Sequence, residues 1–272
     1  MAGEKKAGFS TPYFLVDENR LLHNLEILKQ VSQQAECKIL LAQKAFSMFS
    51  VYPLLRKYLA GTTASGLYEA RLGYEEFGKE THVFSPAYTE EEFQGLLQYA
   101  DHMIFNSPKQ VRKFAQRAKA AGKEVGLRVN PECSTQEGHA IYDPCSPGSR
   151  LGTTLGNFEE ELVSMLDGLH FHTLCEQGAD ALEITLQAVE EKFGKYLYRM
   201  KWLNLGGGHH ITREDYDVSG LIAMIQRLRR KYGIEVYLEP GEAVVLNAGF
   251  LVSTVLETMK NGMDIAILDT SA

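Results

Sequence analysis

The chain has 272 residues, of which 44% are hydrophobic and 23% charged, and this apolar content is enough to bury a large core. A net charge of −7 and a pI near 5.7 give no electrostatic reason to expect nucleic acid or an anionic membrane surface as partner. The N-terminus, MAGEKKAGFSTPYF, has no apolar stretch of the signal-peptide type, and no apolar run approaches the roughly 20 residues of a membrane-spanning helix. The sequence therefore predicts a cytoplasmic protein.

The first predicted strand, TPYFLVD (11–17), leads into the helical stretch ENRLLHNLEILKQVSQQ. After it, short apolar strands alternate with amphipathic helical stretches, which is the pattern of repeated βα units and a parallel sheet. The eight predicted strands are KILLAQK (38–44), GTTAS (61–65), HVFSP (82–86), HMIFN (102–106), EVGLRVN (124–130), GLHFHTL (168–174), MKWLNLG (200–206) and VYLEPG (236–241). Eight units predict a (β/α)8 barrel, whereas a doubly wound open sheet, the alternative, would normally have fewer strands.

Helix start and stop signals support this interpretation. The stretches between the strands include SVYPLLRKYL, LYEARLGYEEF, TEEEFQGLLQYA and SPKQVRKFAQRAKAAG. Thr89 caps the third of them. Ser107 caps the fourth, with Pro108 at its first position and Gly122 as its stop.

Residues 243–272 change period. GFLVSTVLETMKN and MDIAILD predict a β-hairpin around Asn261-Gly262. Because two strands alone are only marginally stable, we expect the natural protein to continue beyond Ala272. The predicted organisation has an N-terminal strand (1–17) that joins a β domain, a barrel (18–245) and the start of a second, all-β domain (246–272).

Catalytic groups of a (β/α)8 barrel lie at the C-terminal ends of its strands. The polar and glycine residues at the predicted ends are Lys44, Arg128, Asn130, His170, His172, Gly206, Gly207, Gly208 and Glu239. Lys44 lies in the apolar stretch LLAQKAFS, where loss of water favours the neutral amine that forms a Schiff base. The alternative is a lysine whose amine reaches from the strand end into water.

Three further features point to one cofactor. The glycine triplet would let backbone N–H groups surround a phosphate, with the following helix adding its dipole, although such loops also occur without phosphate. Glu239, fixed by the proline after it, would hold a proton on a pyridine nitrogen, or else cap a loop. His172 would stack on the cofactor ring, or else be a core histidine.

These motifs resemble the alanine racemase-like (fold type III) pyridoxal phosphate decarboxylases, which include ornithine, arginine and diaminopimelate decarboxylases. The stretches that carry the resemblance are TPYFLVD, LLAQK, GLHFH, LNLGGG and LEPGEA. Within that family, YDPCSPGSRLG (142–152), LHFHTLCEQ (169–177), GGGHHIT and ILDTSA look like the branch that decarboxylates carboxynorspermidine and carboxyspermidine. The resemblance covers the whole chain.

The resemblance implies a role for each matching position. Lys44 becomes the Schiff-base lysine, His172 the ring-stacking residue, Gly206 to Gly208 the phosphate loop and Glu239 the partner of the pyridine nitrogen, and Arg128 is counted among the cofactor-binding residues. The implied reaction is pyridoxal phosphate-dependent decarboxylation to norspermidine or spermidine, in a homodimer with shared active sites.

Two departures from the ornithine-type relatives concern the substrate. HTLCEQ stands where they have HVGSG, and EPGE stands where they have EPGR. An arginine after EPG would help to bind phosphate, so we expect Glu242 to face a cationic substrate instead. Glu176 is a second predicted acidic contact.

Three rival functions remain open at this point. A racemase on the same barrel usually pairs the pyridine nitrogen with arginine, and Glu239 argues against it. A pyridoxal phosphate carrier would be a lone barrel, and the strands outside the barrel argue against that. A diaminopimelate decarboxylase should want a cation for the distal carboxylate, where this chain has Glu242.

Cysteine spacing predicts no metal site. Cys37, Cys133, Cys145 and Cys175 form no CxxC pair and have no histidine at zinc-finger spacing. They also give no disulfide framework. We interpret Cys37, Cys133 and Cys145 as ordinary small apolar residues.

Overall fold

The structure is a computed structural model that describes residues 9–136 and 143–271. Three parts of the predictions lie outside these residues: positions 1–8 of the N-terminal segment, Tyr142 of the motif YDPCSPGSRLG, and Ala272. Across the two described ranges, no helix combines the length and the apolarity that crossing a bilayer requires.

The first elements are strand β1 (Tyr13–Val16) and helix α1 (Glu18–Ala35). Asp17 starts the helix, because its side chain accepts the backbone N–H groups of Asn19 and Arg20 and so satisfies donors that have no partner inside the helix. One face of α1 is fully buried. The predicted strand and helix are confirmed; the strand is shorter than predicted, at Tyr13–Val16 instead of 11–17, and the helix is one residue longer.

Eight parallel strands form a closed barrel in chain order. They are β2 (Lys38–Ala42), β3 (Gly61–Ala64), β4 (Glu80–Phe84), β5 (His102–Phe105), β6 (Glu124–Arg128), β7 (Gly168–His170), β8 (Trp202–Asn204) and β9 (Glu235–Leu238). The last strand closes the barrel on the first, with Lys38 paired to Tyr237 and Ile39 to Leu238. The predicted (β/α)8 barrel is therefore confirmed.

Helices surround the barrel. They are α2 (Tyr52–Leu55), α3 (Leu67–Leu72), α4 (Glu90–Tyr99), α5 (Pro108–Ala120), α6 (Ala179–Leu197), α7 (Val218–Tyr232) and the short α8 (Glu242–Val245). The predicted caps are confirmed: Thr89 and Glu92 form a reciprocal capping box on α4, and Ser107 accepts the N–H of Gln110 in α5. Gly122 follows α5 with φ of +76°, a conformation that suits glycine.

Two helical predictions need correction. SVYPLLRKYL forms only a 3₁₀ turn (Phe49–Val51) and one turn of α-helix in α2. LYEARLGYEEF forms α3 and then a π-helical segment (Gly73–Phe77). In the latter, a Cβ atom on Gly73 would lie 2.3 Å from Oγ1 of Thr62, so the helix approaches β3 too closely for a larger residue.

The connection from β6 to β7 also differs from a regular βα unit. Its described residues contain 3₁₀ turns (Leu155–Asn157 and Glu160–Met165) and no α-helix. Pro144, Pro147 and Gly148 explain this locally, because proline lacks the N–H that a helix needs and glycine costs backbone entropy. Residues 143–151 of this connection instead line a cavity at the end of the barrel.

The core has two parts. A large cluster fills the space between the strands and the surrounding helices, and a small one, formed by Leu40, Ile104, Trp202 and Tyr237, fills the inside of the barrel. Burying each such side chain contributes about 1.5–3 kcal/mol. The barrel is therefore a packed core and not a pore, and ligands must bind at its ends.

The remaining strands lie outside the barrel. Strand β10 (Gly249–Val252) pairs antiparallel with β1, and β11 (Val255–Asn261) pairs antiparallel with β12 (Met263–Leu268). The hairpin around Asn261-Gly262 is confirmed, and Gly262 has the positive φ that its turn requires. GFLVSTVLETMKN, predicted as one strand, forms two strands, β10 and β11. The division at residues 17 and 245 stays a prediction.

Candidate active site

A cavity of about 650 Å³ opens at the C-terminal ends of the barrel strands. A second cavity of about 230 Å³ shares part of its wall. Lys44, Arg128, His172 and Glu239 line both cavities. Gly207, Gly208, Glu176 and Glu242 line the larger one. Nearly every predicted site residue therefore meets at one place.

Lys44 lies in a tight turn directly after β2. The N–H of Gln43 donates to the carbonyl of Thr63, and the N–H of Ala45 donates to that of Ala42, which lifts Lys44 out of the strand. Lys44 is exposed at the cavity mouth. The predicted apolar setting is wrong, because the apolar residues of LLAQK belong to the barrel wall and the turn carries the lysine away from them.

The glycine loop follows β8, and neighbouring backbone explains its lack of side chains. Gly206 and Gly208 have φ of +70° and +82°. A Cβ atom would lie 2.4 Å from the carbonyl oxygen of Phe171 at Gly206, and 2.0 Å from that of Leu174 at Gly208. The fold therefore requires these glycines whether or not a phosphate binds beside them.

The expectation of a helix dipole at this loop is wrong. Helix α7 begins only at Val218, so no helix N-terminus directly follows the glycine triplet. Any anion at Gly207 and Gly208 would meet loop backbone rather than a helix end. The assignment of Gly206 to Gly208 to phosphate stays a prediction.

His172 is fixed at the cavity wall from two sides. Its Nδ1 accepts the N–H of Gly207 at 3.3 Å, and its carbonyl oxygen accepts a bond from the guanidinium of Arg128 at 3.0 Å. Burial, together with the charges of Lys44 and Arg128, holds the pKa of His172 well below its usual range. The ring is therefore neutral, which suits a residue that stacks on a cofactor ring.

Arg128 is buried beneath this wall. Its guanidinium lies over the ring of Phe84, 4.5 Å from the centroid, in a cation–π contact. Burial lowers the pKa of Arg128 to about 10, so it remains a cation at neutral pH. Its contact with the carbonyl of His172 makes it a support of the site, and its predicted contact with the cofactor stays a prediction.

Glu239 is buried at the end of β9. Its Oε1 accepts a bond from Asn204 at 2.7 Å, and its Oε2 lies 3.2 Å from Nε2 of His170. Burial alone would raise the pKa of Glu239, but the interaction with His170 outweighs it and holds the pKa well below the usual range. The carboxylate therefore stays ionised.

His170 and Asn204 are two positions that sequence reasoning did not assign. The predicted strand ends include His170, without a role for it, and do not include Asn204. The sequence signal is strand periodicity, because residues two apart face the same side: His170 is two residues from His172, and Asn204 is two residues from Trp202 and from Gly206. Which of them meets Glu239 depends on the barrel register, in which His170 pairs with Asn204.

Glu176, His210 and Glu242 converge at the mouth of the larger cavity. One nitrogen or oxygen atom from each lies within 4.8 Å of those of the other two. Nε2 of His210 is 3.2 Å from Oε2 of Glu242. The motifs HTLCEQ, GGGHHIT and EPGE therefore meet here, and His210 is a member that the sequence did not single out.

The segment Asp143–Leu151 also contributes to the cavity wall, through Arg150 among others. The cysteines lie mostly elsewhere. All four are free; Cys37 is buried, Cys133 and Cys145 are half-buried, and Cys175 is exposed at the cavity. Burial raises the pKa of the Cys37 thiol to about 12, which fits an unreactive core residue. Cys133 and Cys145 are only half-buried, so their interpretation as ordinary small apolar residues holds only in part.

The chemistry of these residues fits pyridoxal phosphate. An exposed amine (Lys44), a neutral flat ring (His172) and a buried ionised carboxylate (Glu239) surround a cavity of sufficient size. The backbone of Gly207 and Gly208 supplies a surface without side chains for a phosphate.

No profile of a known protein family matches the sequence, but individual relatives do. A carboxynorspermidine/carboxyspermidine decarboxylase of Campylobacter jejuni is 44% identical over 262 residues, which is 96% of this chain and 68% of the relative. The solved structure of a carboxynorspermidine decarboxylase from the same organism, complexed with norspermidine, superimposes with a TM-score of 0.90 over 97% of this chain and 68% of that one, at 42% identity.

The chain belongs to the carboxynorspermidine/carboxyspermidine decarboxylase family. This confirms the resemblance inferred from the motifs, and with it a decarboxylase on a fold type III barrel. A carboxyaminopropylagmatine decarboxylase of Synechocystis is 41% identical over 90% of this chain and 63% of its own length. A diaminopimelate decarboxylase of Deinococcus radiodurans is more distant, at 24% identity over 96% of this chain and 68% of its own length.

Proposed function

We propose that this site decarboxylates carboxynorspermidine or carboxyspermidine and releases norspermidine or spermidine. The observation that carries the proposal is the acidic group at the cavity mouth. Glu176 and Glu242 lie beside His210 and line the same cavity as Lys44, His172 and Glu239. A substrate with a reacting amino acid end and a protonated amine end suits this polarity.

The chain's own residues divide the work at the inner end of the cavity. Pyridoxal phosphate, when bound, supplies an electron sink for the electron pair that remains after CO2 leaves. Lys44 provides the amine that holds the cofactor covalently. His172 keeps the ring in place through a neutral imidazole, and Glu239 provides a fixed negative charge for a protonated ring nitrogen.

The outer end of the cavity selects the substrate. Polyamine nitrogens are protonated near neutral pH, and a carboxylate that receives such a group gains a charge-assisted hydrogen bond. His210 contacts Glu242 at 3.2 Å and so limits where this exposed carboxylate can point. Diaminopimelate carries a distal carboxylate, which Glu176 and Glu242 would repel.

The proposal also covers the assembly of the protein and its location in the cell. We infer a cytoplasmic homodimer in which each active site is shared between subunits, as the motifs suggested. Sedimentation of the full-length protein at assay concentration measures this directly. A fully active monomer would refute the shared site.

The proposed substrate is tested by CO2 release from full-length protein loaded with pyridoxal phosphate. The competing substrates are carboxynorspermidine, carboxyspermidine, carboxyaminopropylagmatine, diaminopimelate and ornithine. We expect the highest kcat/KM for one of the first two. A preference for diaminopimelate would refute the role of the acidic group. A preference for ornithine, which also has a distal ammonium group, would refute the proposed substrate but not that role, and a preference for carboxyaminopropylagmatine would move the protein to another branch.

A further inference from the structure

Glu239 is held by two hydrogen-bond donors that carry no charge of their own. Oε1 accepts from Nδ2 of Asn204 at 2.7 Å, and Oε2 contacts Nε2 of His170 at 3.2 Å. The orientation of the Asn204 amide is fixed, because its Oδ1 accepts the N–H of Gly206 at 2.8 Å. Its NH2 group must therefore face Glu239.

The hydrogen-bond network also fixes the proton of His170. This side chain is 1% exposed and lies beside the ring of Phe84, with centroids 5.6 Å apart. Within the two described ranges its Nδ1 has no hydrogen-bond partner. Since a carboxylate can only accept, the single proton of a neutral imidazole belongs on Nε2, an assignment made from the network.

His170 stays neutral in this position. Burial lowers its pKa, and the charge of Glu239 opposes that effect only in part. Arg128, the buried cation nearby, donates to the carbonyl of His172 instead of to this carboxylate. The negative charge of Glu239 is thus oriented by neutral groups and remains available to a cation that enters the cavity.

We propose that His170 is a positioning residue that, together with Asn204, keeps the Glu239 carboxylate ionised and aimed at the cavity, so that the ring nitrogen of pyridoxal phosphate binds protonated. This inference rests on the proposed function, because it needs the cofactor in this cavity. A charged imidazole in the same place would instead neutralise Glu239 and weaken its hold on that proton.

A matched pair of variants tests the effect of the Nε2–H donor of His170. His170→Gln keeps an amide N–H close to the place of Nε2, whereas His170→Asn places its amide near Nδ1, too far from Glu239. Both replace the ring by a neutral amide of similar polarity. His102→Asn serves as control, since His102 is also buried but lies on the opposite end of the barrel, stacked on His82.

The first measurement is the ¹⁵N NMR signal of ring-labelled pyridoxal phosphate bound to each full-length variant. We expect a protonated nitrogen in wild type, in His170→Gln and in His102→Asn. In His170→Asn the signal should move toward that of unprotonated pyridine. Steady-state kinetics should show kcat reduced roughly 10-fold in that variant alone, about 1.4 kcal/mol of activation free energy, with KM nearly unchanged.

Two outcomes would overturn the role of His170. One is a protonated ring nitrogen and normal kcat in His170→Asn. The other is the same loss in His170→Gln as in His170→Asn, because then the imidazole matters for its shape and not for its donor. In both cases wild type still binds the cofactor and releases CO2, so the proposed function survives. A wild-type protein that binds no pyridoxal phosphate refutes both.

Discussion

The two ends of the barrel contain the same kinds of residue and use them differently. At the floor, where the strands begin, His82 and His102 stack at 3.9 Å and Lys38 donates to Glu80 at 2.5 Å. At the mouth, where the strands end, histidines, a lysine and a buried glutamate surround a cavity of about 650 Å³. Residue type therefore does not separate a structural cluster from a reactive one.

The difference lies in what satisfies each charge. At the floor Glu80 has a cation of its own chain, Lys38, which also bridges to Glu235 at 3.2 Å. At the mouth Glu239 has only neutral or weakly basic partners, His170 and Asn204. At the floor two carboxylates share a lysine of the same chain, whereas the mouth keeps a negative charge that a ligand can use.

The largest expected effect is on the lysine of the mouth. Lys44→Ala should remove the covalent bond to pyridoxal phosphate and lower kcat on the order of 10³-fold or more. Borohydride reduction followed by peptide mapping should place the cofactor on Lys44 in wild type and nowhere in the variant. Lys38→Ala, the floor counterpart, should lower the melting temperature but keep the reducible linkage. A reducible linkage in Lys44→Ala would disprove the assignment.

The next largest effect is expected at Glu239 of the mouth, with Glu80 of the floor as its counterpart. Glu239→Gln should keep cofactor binding but reduce kcat roughly 10²-fold, about 3 kcal/mol, because the neutral amide no longer favours a protonated ring nitrogen. Glu80→Gln should leave kcat unchanged. Thermal unfolding and single-turnover CO2 release distinguish a loss of stability from a loss of catalysis in each variant. Equal kcat values in both variants would mean that the ends of the barrel do not differ as described.

Much of this contrast was predictable from the sequence, because strand polarity alone places a residue at one end or the other. GLHFH and LEPG put His172 and Glu239 at strand C-termini, and eight alternating units predicted the barrel. These signals are local in the sequence, so they can be recognised without knowing how the chain packs.

What could not be predicted depends on contacts between distant parts of the chain. The setting of Lys44 is decided by a turn bonded to Thr63, and the glycines are required by the backbone of Phe171 and Leu174. The partnership of His170 with Glu239 joins residues 69 positions apart. Apolar neighbours in sequence say little about such positions, because strand residues alternate between wall and interior.

The third prediction addresses the outer rim of the mouth. Glu242→Gln should lower kcat/KM for carboxynorspermidine roughly 10- to 100-fold, since a charge-assisted contact contributes about 1.5–3 kcal/mol. Cofactor affinity, measured by spectroscopic titration, should hardly change. Glu91→Gln, an exposed glutamate of α4, is the matched control and should behave as wild type. Unchanged catalytic efficiency would make Glu242 a solvated rim residue, and weakened cofactor binding would mean that it faces the phosphate.

The smallest effect belongs to the floor and concerns pH. Burial lowers the pKa of His102 from 6.5 to about 2, although the charge of Glu80 opposes this effect. The folded chain therefore cannot take up a proton that the unfolded chain binds below about pH 6.5. The contribution of His102 to the free energy of unfolding is therefore full above about pH 6.5 and falls by about 1.4 kcal/mol for each pH unit below it.

The variant His102→Asn has no imidazole to bind a proton at this position. Its urea midpoint should therefore drop less than that of wild type between pH 7.5 and 5.5. Since the other histidines are the same in both proteins, an equal drop would mean that His102 is protonated in the folded barrel, and that the floor tolerates a charge there.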